Sequence, residues 1–90
     1  MPDLDRSRNL WPQVHADLQR RLLAGEWEPG ERFPGTVALA AEYGVAQATT
    51  QKAVVALRAD GWLRLEVGAG NFVVDSPPDH DQGPGHPRLR

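Results

Sequence analysis

The stretch GVAQATTQKAVVALRADG, residues 44–61, decides the fold. It contains no proline and closes on Gly61, a natural helix stop. Thr50, Ala53, Val54 and Leu57 recur at the steps that place side chains on one face of an α-helix. Gln47, Ala48, Gln51, Lys52 and Arg58 point elsewhere. The preceding residues, TVALAAEY (36–43), form a shorter apolar segment, which Gly35 or Thr36 can start and Gly44 ends. In it Val37, Ala40 and Ala41 are small, and Leu39 and Tyr43 are larger. Two short helices, 36–43 and 46–60, joined by the tight Gly44-Val45 turn, are the helix-turn-helix pattern.

Upstream, Trp11, Val14, Leu18 and Leu22 make a helical stripe beside Leu10. Asn9 can cap this first helix, Pro12 is tolerated in its first turn, and Gly25 stops it, giving a span near 10–24. The linker EWEPGERFPG (26–35) breaks at Pro29-Gly30 and Pro34-Gly35, leaving Arg32-Phe33 as a very short strand. Downstream, Leu63 and Leu65 alternate with Arg64 and Glu66. Gly68-Ala69-Gly70 then turns the chain, and Phe72-Val73-Val74 resumes a strand. The expected fold is mainly α with a small β-hairpin. It is a winged helix-turn-helix of three helices plus a two- to three-stranded antiparallel wing, over residues 9–75. Residues 1–8 read as a flexible arm. Residues 76–90, SPPDHDQGPGHPRLR, hold four of the eight prolines and read as a disordered Pro/Gly-rich tail.

Ninety residues suit one small domain with a thin core. No apolar run approaches the roughly 20 residues of a membrane helix, and the N-terminus has no apolar signal core, so a cytoplasmic protein is expected. With no cysteine, disulfides, thiolate zinc sites and cysteine nucleophiles are excluded. His15 stands alone on a polar helix face. His80 and His86 lie in the tail, which offers no fixed geometry for a metal. No Ser-His-Asp set and no phosphate-cradling loop occurs, so neither catalysis nor a cofactor is expected. The net charge of -2, with Lys52 as the one lysine among ten basic residues, lacks the basic excess of most nucleic-acid binders.

The chain resembles the GntR family of bacterial transcription regulators, in their N-terminal winged-helix domain. The resemblance rests on Trp11, Gln13-Val14, Gly25, Pro29-Gly30, Phe33-Pro34, Leu39-Ala40 and Gly44-Val45. It continues through Thr49, Ala53, Leu57, Gly61, Gly68, Gly70, Phe72 and Val73. It runs without gaps from about Leu10 to Asp75. Most of these residues are structural, so the resemblance speaks more strongly for fold than for activity.

The departures fall on charge. The family's Pro-Ser-Glu-Arg is here Pro34-Gly35-Thr36-Val37, so a DNA-gripping arginine is Val37. The family's Val-Ser-Arg-x-Thr-Val-Arg is here Val45-Ala46-Gln47-Ala48-Thr49-Thr50-Gln51, so two arginines are glutamines. The basic residue between the wing glycines is Ala69. The family also carries a C-terminal effector or dimerisation domain. The chain stops at Arg90, and no small-molecule effector domain is expected.

The resemblance implies a DNA-binding regulator whose partner is double-stranded DNA. Its recognition helix, 46–60, enters the major groove, and its wing, 66–72, lies at the adjacent backbone or minor groove. Gln47 and Gln51 share one face, and glutamine can pair bidentately with adenine there. Thr49 suits a phosphate or thymine methyl and Lys52 a phosphate, with Ala48 between them. Arg32, Thr36, Gly68 and Gly70 hold neighbouring backbone. So few cations make a weak monomer, and a homodimer or protein partner is expected to raise its affinity. The alternative is a degenerate winged-helix protein-interaction module that no longer binds DNA. It predicts an apolar or acidic patch where DNA would lie.

Overall fold

The computed structural model describes residues 4–75. Its elements run α1 (Leu10–Leu23), α2 (Thr36–Tyr43), α3 (Gln47–Ala59), β1 (Leu63–Glu66) and β2 (Gly70–Val73). α3 packs against both other helices, and β1 leans on α3. β1 and β2 pair antiparallel, with Leu63 opposite Val73 and Glu66 opposite Gly70. The short strand expected at Arg32-Phe33 joins them through a bridge from Arg32 to Phe72. Around it the Phe33 N–H donates to the Asn71 carbonyl at 2.8 Å, and the Val73 N–H to the Glu31 carbonyl at 2.9 Å. Three helices and this wing are a winged helix-turn-helix.

The stripes read in the sequence supply the core. Val14, Leu18 and Leu22 come from α1, Leu39 and Tyr43 from α2, and Thr50, Ala53, Val54 and Leu57 from α3. Phe33, Trp62, Leu63 and Val73 close it from the wing side. Burying one such large side chain stabilises the fold by about 1.5–3 kcal/mol. Trp62 packs inward, and half-buried Trp27 lies on Phe33 with ring centroids 4.7 Å apart. Residues 5–8 form a turn in which Arg8 N–H donates to the Asp5 carbonyl at 3.1 Å. Gln13 holds that turn, accepting from the Asp5 N–H at 2.7 Å and donating to its carbonyl at 2.9 Å. The tail, with His80 and His86, lies outside the described residues.

Three local readings need correction. Asn9 stands at the N-cap of α1, but its side chain makes no capping bond; Gln13 Nε2 instead donates to the Asn9 carbonyl at 3.0 Å. Leu65 does not share the burial of Leu63. It is 53% exposed, because only the first residue of β1 still lies over the helices as the strand rises into the wing. His15 is not alone. Its Nε2 lies 2.8 Å from Asp60 Oδ2, joining α1 to the end of α3, and its ring meets the edge of Trp11.

A polar knot joins α1 to α2. The Tyr43 hydroxyl donates to Asp17 and accepts from Arg21 Nη1 at 2.9 Å. Burial pushes the Tyr43 phenol up to about 12, and its bond to Asp17 pushes the same way. Burial also acts to raise the Asp17 carboxyl. Hydrogen bonds from Tyr43 and Arg20 and the charges of Arg20 and Arg21 outweigh it and hold the group below its ordinary value. A phenol raised in the fold stabilises it fully below its unfolded value near 10, and that contribution is lost as pH rises towards 12. Urea midpoints across pH 10–12 should therefore fall, by a free energy on the order of 2 kcal/mol, and the fall should shrink in Tyr43→Phe.

Candidate nucleic-acid interface

The turn between α2 and α3 fixes how the site is presented. Gly44 ends α2 in the left-handed region at φ +67°, and its N–H donates to the Ala40 carbonyl. A side chain there would be strained, which is why the turn carries glycine. Val45 N–H donates to the same carbonyl at 3.1 Å, and α3 starts two residues later with Ala46 as its N-cap. The fully buried Thr50 hydroxyl lies 2.8 Å from the Thr36 carbonyl and 2.9 Å from the Gln47 carbonyl. Its single proton serves one of them at a time. Thr50 thus links the first turn of α2 to the first turn of α3.

Gln47, Ala48, Gln51 and Lys52 are exposed on α3, and Thr49 is half-buried. Gln47 and Gln51 stand one turn apart on one face. The Gln47 amide is already engaged, since its Nε2 donates to Thr36 Oγ1 at 3.2 Å. That leaves Oε1 and the second amide hydrogen available. Thr36 therefore lies beside Gln47 rather than apart from it. Ala48, Thr49 and Lys52 border a shallow notch with Asn9 and Trp11 of the α1 end. Nothing in the sequence pattern places Asn9 or Trp11 here beyond their position at the start of α1, and packing between helices decides which starts meet.

The wing turns at Glu66–Ala69, closed by the Ala69 N–H donating to the Glu66 carbonyl at 2.9 Å. Gly68 takes φ +85°, and the apex carries Val67, 95% exposed. Gly70 admits the exposed Arg32 side chain, for a Cβ there would sit 3.4 Å from Arg32 Nε and Nη2. Arg32 and Gly70 share a cleft at the wing base with Gly35 and Asn71. Arg58 Nη1 donates to Asn71 Oδ1 at 3.2 Å and ties α3 to β2. Arg64 stacks over Phe72 and pairs with Glu66, which cancels its charge.

Several acidic side chains are paired away from the exposed face of α3. Glu26 and Glu42 each lie 3.0 Å from Arg21, Asp17 meets Arg20, and Asp60 meets His15. Among the described residues, no acidic group forms an ion pair with Lys52 or Arg32. The exposed face of α3 thus carries Gln47, Gln51 and Lys52, and Arg32 stands at the wing base next to Glu31. Among the described residues no group of His, Asp and Glu could hold a metal ion, and no helix is long and apolar enough to cross a membrane.

A comparison with known families matches residues 11–73 to the one described as bacterial regulatory proteins, gntR family. This chain belongs to that family. Over 80 residues the gntR-family chain is 29% identical to the Exu regulon transcriptional regulator of Escherichia coli (strain K12), covering 89% of this chain and 31% of that protein. It is 38% identical over 78 residues to the HTH-type transcriptional regulator TauR of Rhodobacter capsulatus, covering 78% of this chain and 16% of that one. The chain thus spans about a third or less of these relatives. A GntR family transcriptional regulator from Listeria monocytogenes shares the fold at TM-score 0.77, with 20% identity over 81% of this chain and 64% of that chain. The DNA-binding domain of AraR, solved in complex with operator ORE1, matches at TM-score 0.67, with 28% identity over 71% of this chain and 78% of that chain. The family and these relatives are regulators of transcription, not enzymes.

Proposed function

We propose that this gntR-family chain is a cytoplasmic transcription regulator that binds double-stranded DNA with sequence preference. Residues 9–75 are the binding domain, with 1–8 and 76–90 flanking it. The observation that carries the reading is the pair of exposed amides, Gln47 and Gln51, one turn apart on α3, with Gln47 oriented by Thr36. Oε1 and one Nε2 hydrogen of Gln47 match the donor and acceptor that adenine presents in the major groove. Thr49 and Lys52 face the flanking phosphates, with Ala48 small enough to let the backbone approach. Arg32 serves the phosphate nearest the wing, and Gly68 and Gly70 let the wing, 66–72, lie against backbone or minor groove. The likeness to AraR, which was solved with its operator, supports this reading.

With Lys52 and Arg32 as its cations, this surface grips DNA weakly, so dimerisation or a protein partner supplies further affinity. Fluorescence titration with duplex DNA tests this. At about 50 mM salt binding is expected, and the slope of log K against log salt should be shallow, near -2 for two phosphates neutralised. Failure to bind any duplex at that salt contradicts the reading. One observation favours the second reading, a protein-docking module: Val55, Leu65 and Val67 put exposed apolar groups on α3 and the wing. That module would give no binding in the same titration.

A further inference from the structure

We propose that Arg6, from the segment ahead of α1, completes the C-terminal cap of α2 that Gly44 begins, and through it is a positioning residue for the recognition helix. The importance of that helix rests on the DNA-binding reading; the cap itself does not. A helix leaves its last carbonyls without intrahelical partners and ends on the negative pole of its dipole. A left-handed glycine such as Gly44 satisfies one of these carbonyls, and a cationic side chain in the last turn can satisfy others and offset the dipole. α2 has none there. Its last turn carries Glu42 instead, an unfavourable charge that Arg21 of α1 pairs.

Arg6 supplies what the local sequence lacks. Its Nη1 donates to the Gly44 carbonyl at 3.0 Å and its Nη2 to the Tyr43 carbonyl at 3.3 Å, 37 and 38 residues away along the chain. The planar fork of the guanidinium meets two successive carbonyls with one N–H-bearing nitrogen each, a fixed geometry that the point-like ammonium of lysine lacks. Arg6 Nη2 lies close against the turn, in ordinary contact distance (3.5 Å) of where a Cβ at position 44 would sit.

The root of Arg6 is held as well as its tip. Asp5 is anchored through both its N–H and its carbonyl by Gln13 of α1. The Asp5 carboxylate accepts from the Ser7 N–H at 3.1 Å and the Ser7 hydroxyl at 2.6 Å and forms no ion pair with Arg6. Leu4 packs on the core. Arg6 therefore bridges a segment fixed to α1 and the turn that sets the direction of α3, whose first residue is Gln47. Its basic charge is engaged by protein carbonyls in the free protein rather than held ready for a minor groove.

Amide exchange and salt-dependent titration together test this, using Arg6→Ala and Arg6→Lys in the full chain. In Arg6→Ala the protection of the Val45 amide should fall about fivefold, while that of the core Leu57 amide changes less than about twofold. Affinity for the duplex that wild type prefers should fall by a similar factor of about five at unchanged salt slope, since no phosphate contact is lost. Arg6→Lys should recover part of both losses, because it keeps the charge and N–H donors but not the planar fork. Unaltered Val45 protection in Arg6→Ala overturns the cap. A salt slope shallower by about one overturns the positioning role, because it makes Arg6 a phosphate ligand. If wild type binds no duplex, the regulator reading falls, and the exchange measurement still decides the cap.

Discussion

Leu57→Ala should leave little folded protein at room temperature. Leu57 is fully buried on α3, the helix that touches both other helices and β1. Truncating a buried leucine removes its transfer free energy and leaves a cavity, together about 2–5 kcal/mol. A core of this size rarely supplies more than roughly 3–5 kcal/mol of net stability. The two figures are comparable, so one side chain decides whether the domain folds. Urea unfolding followed by tryptophan fluorescence reads the result, since Trp62 is buried and Trp27 half-buried. Val55→Ala is the control. It lies on the same helix but is 43% exposed, and its cost should stay within about 0.5 kcal/mol. Equal midpoints for the two variants would show that α3 does not organise the core as described.

The second large effect concerns binding. Gln47→Ala with Gln51→Ala should abolish sequence preference and leave only the salt-dependent part of the affinity. Each bidentate amide–base pair discriminates by about 1–3 kcal/mol, so the pair is worth roughly 2–6 kcal/mol of specificity. Neither residue touches the core, so the unfolding midpoint should stay within about 0.5 kcal/mol of wild type. The salt slope should also be unchanged, because neutral amides release no counterions. A double variant that kept its preference among duplexes would move recognition to other residues.

How much of this was legible in the sequence follows from the range of each interaction. The three helices and the hairpin come from local periodicity and from glycine stops, and the burial of Thr50, Ala53, Val54 and Leu57 matches the reading of α3. Leu65 departed from its alternation because burial depends on where the helical body ends, which no strand pattern records. Side-chain partnerships were the least legible. The bonds of Arg6 to the Tyr43 and Gly44 carbonyls, of His15 to Asp60 and of Arg58 to Asn71 join residues 13 to 45 positions apart. Only packing brings them together.

The candidate site divides the same way. That Gln47, Gln51 and Lys52 face outward on α3 follows from helical spacing. That Thr36 holds the Gln47 amide does not, because it depends on the crossing of α2 and α3 through Thr50. The net charge of -2 counted against nucleic acid in the sequence. In three dimensions much of the acidic charge is drawn to Arg20, Arg21 and His15, and Lys52 and Arg32 are left without acidic partners among the described residues. Local distribution, not the sum, decides whether this surface can face a phosphate backbone.

Selection of bound sequences from a random duplex pool, carried out with the intact chain at low salt, puts this arrangement to the test most directly. Two outward amides with one buttressed orientation should enrich a short motif containing adenines at the positions facing Gln47 and Gln51. A pool that emerges with its starting base composition, or that yields no bound DNA at all, would contradict the assignment of α3 as a recognition helix.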